Sequence, residues 1–486
     1  MSQANLAPAR QLHVSVALRG VSWLALAQGL SYLVQWGVLV CVARQLGPEH
    51  YGSAALALFC LSGPLVLQEL GLGQALMHRR AVESGHLAAS LLGSLIVSLL
   101  LWLVLGMLAP LLAAVFATPL LAHLLPILAA ALPLSALGTV PRAMLERASR
   151  FKAVAVLESL GAVLGGAASL ATLMSGGGIW AALVGPMVSA AMVSLGAWGL
   201  QGRFSFQGLS RCHWQELWQF GGPVCASRCL GWLVVQLDTI VIGCCLGPAA
   251  LGLYGMATKL VLLPTSRLAQ VLLRVATPRF AAAREEQARL RQQYVRLIRG
   301  LAWITWPWQT SLLLLAPALL PALLGEAWRE AVWLTQLLCV VGAFKGLVCS
   351  VGLVFQTVGA PQLELRLNIL SAGLLLACLW IGQHWGWSGL AIGLLVSTLL
   401  GAPMQQLAAN RALKLPFQSF SSALYAPLQV SAALAFLLTL GLFSMGAGEP
   451  SALATLGLFV LGGVGAHLCR LGVGSTFHRR HSRLEI

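Results

Sequence analysis

Apolar runs of 18 to 30 residues follow one another along the whole chain, broken by short polar or basic connectors. A helix needs roughly 20 such residues to cross a hydrocarbon core of about 30 Å. Fourteen spans are predicted on that pattern. They cover 18–43, 51–77, 87–116, 119–140, 153–175 and 178–200 in the first half. In the second half they cover 219–245, 250–276, 297–320, 330–355, 367–384 and 387–409, with 421–445 and 451–472 after it. The opening stretch MSQANLAPARQLHVS is polar and no small-residue cleavage site follows the first run, which predicts a retained helix.

Composition agrees with the pattern. Of 486 residues, 58% are hydrophobic and 9% are Asp, Glu, Lys or Arg, against about a quarter charged in soluble domains. Such a chain cannot clothe a water-facing surface, and the reading is an all-α polytopic membrane protein.

Lys and Arg gather in alternate connectors, and cytoplasmic loops carry that excess. Arg10 and Arg19 precede the first span; Arg79 and Arg80 follow the second; Arg142, Arg147, Arg150 and Lys152 follow the fourth. Arg203 and Arg211 follow the sixth, six arginines lie between Arg279 and Arg299, and Arg411 and Lys414 follow the twelfth. Both termini are therefore predicted to be cytoplasmic. The net charge of +16 sits on loop edges beside an anionic leaflet, so it points to the bilayer and away from nucleic acid. The segment Arg279–Gly300, RFAAAREEQARLRQQYVRLIRG, reads as a surface helix. Eleven cysteines and ten histidines are dispersed without metal-ligand spacing, so no metal or cofactor is expected.

A short motif recurs. QLGPEHYG (Gln45–Gly52) lies after the first span and CLGPAALG (Cys245–Gly252) after the seventh, so Leu46, Gly47, Pro48 and Gly52 return two hundred residues later. Six spans separate the copies, and an even number preserves orientation, as in transporters built from parallel repeats. Two pseudo-symmetric six-helix lobes are predicted, 1–210 and 211–415, followed by residues 416–486 with two further helices and a basic tail.

The same residues carry a family resemblance. ARQLGPEHYGSAALALF with LQELGLGQALMHRR in the first half, and QLDTIVIGCCLGPAALGLYGMATKL with VGAPQLELRLNILSAG in the second, resemble bacterial Wzx-type polysaccharide flippases. These belong to the multidrug/oligosaccharidyl-lipid/polysaccharide exporter superfamily. The resemblance implies a bacterial inner-membrane protein that moves a polyprenyl-diphosphate-linked glycan by alternating access. Polysaccharide polymerase and assembly proteins are its implied partners. Glu69 stands where such proteins often have Asp, which keeps the charge.

Ionisable residues inside spans are costly, on the order of 3 kcal/mol each, and face a cavity or a partner. The cations at membrane depth are Arg228, Lys259, Arg267 and Lys345; the acids are Glu69, Glu158 and Asp238, the single Asp of the chain. Lys259, Arg267, Lys345 and Arg228 are the candidate substrate-binding residues. Arginine forks and lysine point charges suit phosphate. Arg44 reads as an interfacial anchor or as a residue at a cavity mouth. Glu69 and Asp238 are candidates for charge balance or ion coupling. A bland reading stands beside this one: Glu69 pairs with a Lys or Arg merely to hold helices together.

No catalytic residue is expected. A membrane polymerase or ligase needs a sizeable external loop with acid–base groups, and the external connectors here are short. A multidrug or cation antiporter would want intramembrane carboxylates, whereas the balance here is cationic. A peptidoglycan-precursor flippase, with a cationic cavity of its own, remains an alternative.

Overall fold

The structure, a computed structural model, describes residues 7–79, 81–201 and 210–444; the side chains of residues 7–28, 30, 78, 263, 267, 361 and 442–444 fall outside that set. The chain is all-α, with no strand among the described residues. The helices are α1 (Ala7–Gln68), α2 (Leu72–His78), α3 (Ser84–Val115), α4 (Leu120–Ala129), α5 (Ala131–Arg147), α6 (Phe151–Met174) and α7 (Trp180–Gln201). They continue with α8 (Arg211–Ala282), α9 (Gln287–Leu324), α10 (Ala331–Val348), α11 (Val351–Val358), α12 (Pro361–Gly382), α13 (Gly386–Ala412) and α14 (Phe417–Ser444).

Ten helical stretches among the described residues are long and apolar enough to cross a membrane. Three of them, Ser31–Met77, Arg211–Ala282 and Gln362–Ala412, run to 47, 72 and 51 residues, room for two crossings each. The last two hold the expected spans 7 with 8 and 11 with 12, and the first holds span 2 with the part of span 1 from Ser31 onward. The expected span 451–472 lies outside the described residues, so the count of fourteen is not confirmed.

The two longest helices break at the repeated motif. Gly47 in α1 has φ 69° and ψ 174°, and Gly247 in α8 has φ 78° and ψ −172°. Positive φ with ψ near 180° is a region that essentially glycine alone enters. In both copies a proline follows, whose fixed φ suits the first turn of the next helix. No heavy atom lies within 4 Å of where a Cβ would sit on either glycine, so the penalty for a side chain there is conformational and not steric. Gly47→Ala and Gly247→Ala are each expected to cost on the order of 1–3 kcal/mol, read as a lower midpoint of thermal unfolding in detergent. Unchanged midpoints would contradict this account of the motif.

The chain packs as two units. One comprises the described residues up to Gln236 together with Gly247–Ala249; the other comprises Leu237–Leu246 and the described residues from Ala250 onward. The packing boundary falls inside α8, whereas the proposed lobes 1–210 and 211–415 divide the sequence by its repeat; the two divisions are of different kinds.

In the first unit, α3 displays the pattern of a lipid-facing helix. Ile96, Leu100, Leu103, Met107 and Leu111 are exposed, while Ser90, Ser94 and Ser98 are fully buried. Small residues at four-residue spacing let backbones approach where lipid supplies no hydrophobic drive between helices. α6 and α7 meet in the same way, since a Cβ on Gly165 would lie 2.5 Å from the Gly185 carbonyl oxygen. Gly63, beside Pro64, lies within continuous helix. It serves as a packing surface, for a Cβ there would reach the Trp232 ring at 2.9 Å.

In the second unit a core forms around Phe280, Tyr294, Ile298, Leu301, Val354 and Phe355. This core corrects one expectation. Arg279–Gly300 is not a separate surface helix: α8 ends at Ala282, and α9 starts at Gln287 and runs unbroken into the span to Leu324. Leu290, Tyr294, Leu297, Ile298 and Leu301 are all buried, so the apolar stripe of the connector continues in phase with that of the span.

Candidate functional site

Each unit holds its own set of membrane-depth charges. In the first, α1 ends at Gln68 and α2 begins at Leu72, leaving Glu69, Leu70 and Gly71 as a break. Leu70 has φ 48° and Gly71 φ 68°. Irregular backbone at membrane depth is tolerated where it meets protein or a watery cavity, and here the freed amides of Leu70 and Leu72 bond back to Leu67 (3.1 Å) and Glu69 (2.9 Å). The N-terminal part of α8 packs onto this break. A Cβ on Gly71 would collide with the Gly221 carbonyl, so both glycines are required for the approach.

Two turns further along α8, the Arg228 guanidinium donates to the Glu69 carboxylate. Both side chains keep appreciable exposure, 41% and 50%. Trp232 Nε1 donates to Ser62 Oγ at 3.1 Å, and its ring stacks on Phe59 at 5.8 Å between centroids. Arg228 is thus anchored by Glu69 and not by Asp238, ten residues along its own helix. Glu158 is engaged as well, accepting from Arg142 at 2.6 Å.

In the second unit, Asp238 is buried and its bonds come from neutral donors. Tyr254 OH donates to Oδ2 at 2.5 Å, and the Thr239 amide donates to Oδ1 at 2.7 Å. This contact bridges the two halves of α8 across Gly247. Lys259 lies half-buried one to two turns past Tyr254, and Lys345 is exposed in the last turn of α10. Gln309 of α9 connects their helices: its Nε2 donates to the Val261 carbonyl at 3.1 Å, and a Cβ on Gly342 would meet both Gln309 and Val261. Lys259 is two residues from that node and Lys345 three, and at 1.5 Å per residue each amine's backbone sits within about a turn of it. Lys345 also complements the negative end of the α10 dipole. Past it the helix breaks at Cys349 and Ser350 before α11. Arg44 is exposed, one turn before the Gly47 break. Arg267 is helical, but its side chain lies outside the described residues.

One cluster is absent from the sequence reading. Glu83, His86 and His213 bring one ligand atom each to within 4.8 Å of the others. His86 Nε2 faces Glu216 at 3.0 Å, and Arg79 pairs with the same carboxylate. His213 Nε2 faces Glu83 at 3.2 Å. These residues do not fit a metal well. The Glu83 amide donates to His86 Nδ1 at 3.2 Å, which leaves the ring proton on Nε2, where a metal would need a lone pair. The cluster acts as a clamp between the α2–α3 connection and the start of α8. Its partners are 130 residues apart, and no local spacing announces them.

The fold is shared with solved transporters. The structure is similar to the lipid II flippase MurJ in an inward-closed conformation, with a TM-score of 0.71 at 13% identity over 94% of this chain and 99% of that one. It is also similar to an inward-facing MATE family transporter of the MOP superfamily, with a TM-score of 0.58 at 18% identity over 78% and 96% of the two chains. The likeness defines the fold, a polytopic bundle of long apolar helices like those two proteins. The chain belongs to the polysaccharide biosynthesis protein family, whose pattern matches residues 41–333. Among its relatives, it is 24% identical over 391 residues to the lipopolysaccharide biosynthesis protein WzxC of Escherichia coli K12, covering 79% of this chain and 78% of that protein. It is 25% identical over 323 residues to the succinoglycan biosynthesis transport protein ExoT of Rhizobium meliloti, covering 66% and 65%.

Proposed function

We propose that the chain is an inner-membrane flippase that carries a polyprenyl-diphosphate-linked oligosaccharide outward for cell-surface polysaccharide synthesis. One observation carries this reading beyond the family. The acids at membrane depth are each engaged within the protein, Glu69 by Arg228 and Asp238 by Tyr254 and Thr239, while the second unit adds Lys259, Arg267 and Lys345. The resulting balance is cationic and suits a diphosphate. It disfavours a cation antiporter, whose cargo needs available carboxylates.

In this account Lys259 and Lys345 attract the headgroup as point charges, and Arg267 grips it through paired hydrogen bonds. Arg228, held in place by Glu69, and Arg44 are further candidate contacts for phosphate in the first unit. Asp238 serves charge balance or ion coupling. The protein transports and does not catalyse; relatives named for transport, such as ExoT, support this. Polymerase and assembly proteins downstream are the natural consumers of its product.

Loss of the chain from its native cell is expected to trap the lipid-linked glycan on the cytoplasmic leaflet, where an externally added glycan-cleaving enzyme cannot reach it. Accessible glycan at wild-type levels would overturn the reading. The orientation has its own test: with the eleven native cysteines changed to serine, single cysteines replacing Arg147 or Arg289 are expected to react with membrane-impermeant maleimide in opened cells and not in intact ones. Labelling of the Arg289→Cys protein in intact cells would contradict cytoplasmic termini.

A further inference from the structure

A cavity of about 570 Å³ lies within the second unit, between the end of α8 and the start of α9. Its walls are two helix faces. On α8, Leu272, Val275, Ala276 and Arg279 recur at helical spacing; on α9, Arg289, Gln293 and Arg296 do the same. One end is cationic and the other apolar. From the apolar end, Val275, Val271 and Leu268 continue along α8 as exposed side chains, 49%, 59% and 48% accessible. At the polar end, Gln293 Oε1 is buried and has no hydrogen-bond partner. Glu286 approaches Arg289 at 3.8 Å with both side chains well exposed. A surface pair of that kind is weak and leaves the guanidinium available.

We infer that this cavity binds one anionic glycerophospholipid of the phosphatidylglycerol type, as a structural lipid distinct from the transported substrate. The phosphate sits among Arg279, Arg289 and Arg296, where planar guanidinium forks hold phosphate oxygens in pairs. The volume falls in the range of sites that hold one small ligand group, and basic pockets beside membrane helices suit anionic headgroups. An acyl chain follows the exposed stripe Val275–Val271–Leu268, which a free phosphate would leave bare. The lone Gln293 oxygen accepts a hydrogen bond, and the glycerol headgroup brings hydroxyl donors; a diphosphate at neutral pH brings acceptors. The site does not depend on the transport reading, because its residues are separate from the proposed substrate contacts.

Native mass spectrometry of the full chain in mild detergent, combined with thermal unfolding, tests this. Wild-type protein is expected to hold one phosphatidylglycerol through delipidation and to gain thermal stability when it is added back. Phosphatidylethanolamine with the same acyl chains, and inorganic phosphate, should do neither. Combined Arg279→Gln, Arg289→Gln and Arg296→Gln should weaken retention at least tenfold, and Gln293→Leu about threefold. Should the triple variant fail to fold, Arg289→Gln alone, at an exposed position, is expected to weaken it at least threefold. Equal retention by the variants, equal binding of phosphatidylethanolamine, or protection by inorganic phosphate would overturn the proposal. So would one-for-one displacement by a polyprenyl diphosphate, which would assign the cavity to the substrate.

Discussion

Removing the membrane-depth cations of the second unit is expected to abolish glycan export while leaving the protein in the membrane. A charge-assisted hydrogen bond contributes about 1.5–3 kcal/mol, so Lys259→Ala and Lys345→Ala should each slow export roughly ten- to a hundredfold at 1.4 kcal/mol per decade. With Arg267→Ala added, export should fall to background. Lys259→Arg and Lys345→Arg should retain more activity than Arg267→Lys, because lysine cannot reproduce the paired fork. Folded protein is measured alongside by size-exclusion chromatography, since Lys345 also complements the dipole of α10 from its last turn. If the lysines only support helices, abundance falls and transport per folded molecule stays constant. That outcome would remove them from the substrate path.

The second large effect is expected at Glu69 and Arg228. Each single alanine variant leaves one charge at membrane depth without its partner, which should lower folded abundance and reduce export at least tenfold. The exchange Glu69→Arg with Arg228→Glu restores an ion pair across the same helix contact. It should recover abundance. It should not recover export, because the guanidinium would then project from the α1–α2 break and not from α8. Full recovery of export by the exchanged pair would make this contact a clamp and nothing more. Glycan release per unit of folded protein separates the two.

The sequence anticipated features that repeat or persist along the chain. Apolar runs of membrane length gave the class because the bilayer imposes a fixed length on every crossing. The paired LGP motifs suggested a duplication, and the structure shows that their Gly47 and Gly247 adopt the same rare backbone conformation. What escaped sequence reasoning depends on distance. Arg228 meets Glu69 across 159 residues, and Asp238 finds Tyr254 on the far side of a helix break. His86 of α3 meets His213 and Glu216 of α8. Residue type narrows the choice of partner for such groups, but only the packing of α8 against α1 and α3 selects one. The break at Glu69 did carry a local signal, the glycines of ELGLG, whose meaning as a helix interruption appears only once Gly221 is seen against Gly71. Arg279–Gly300 misled for a related reason. Its charges gave a surface pattern, while its apolar residues stay in register with α9 and fill the core beneath.

The central claim is that this chain moves a lipid-linked glycan across a bilayer. The direct measurement reconstitutes purified protein in vesicles that contain a polyprenyl-diphosphate oligosaccharide in the inner leaflet. The rate at which an impermeant glycosidase outside gains access to that glycan is then followed. The account predicts access that scales with the number of folded molecules per vesicle and that disappears in the Lys259→Ala, Arg267→Ala, Lys345→Ala protein. Access no faster than in protein-free vesicles, or undiminished in the triple variant, would contradict it.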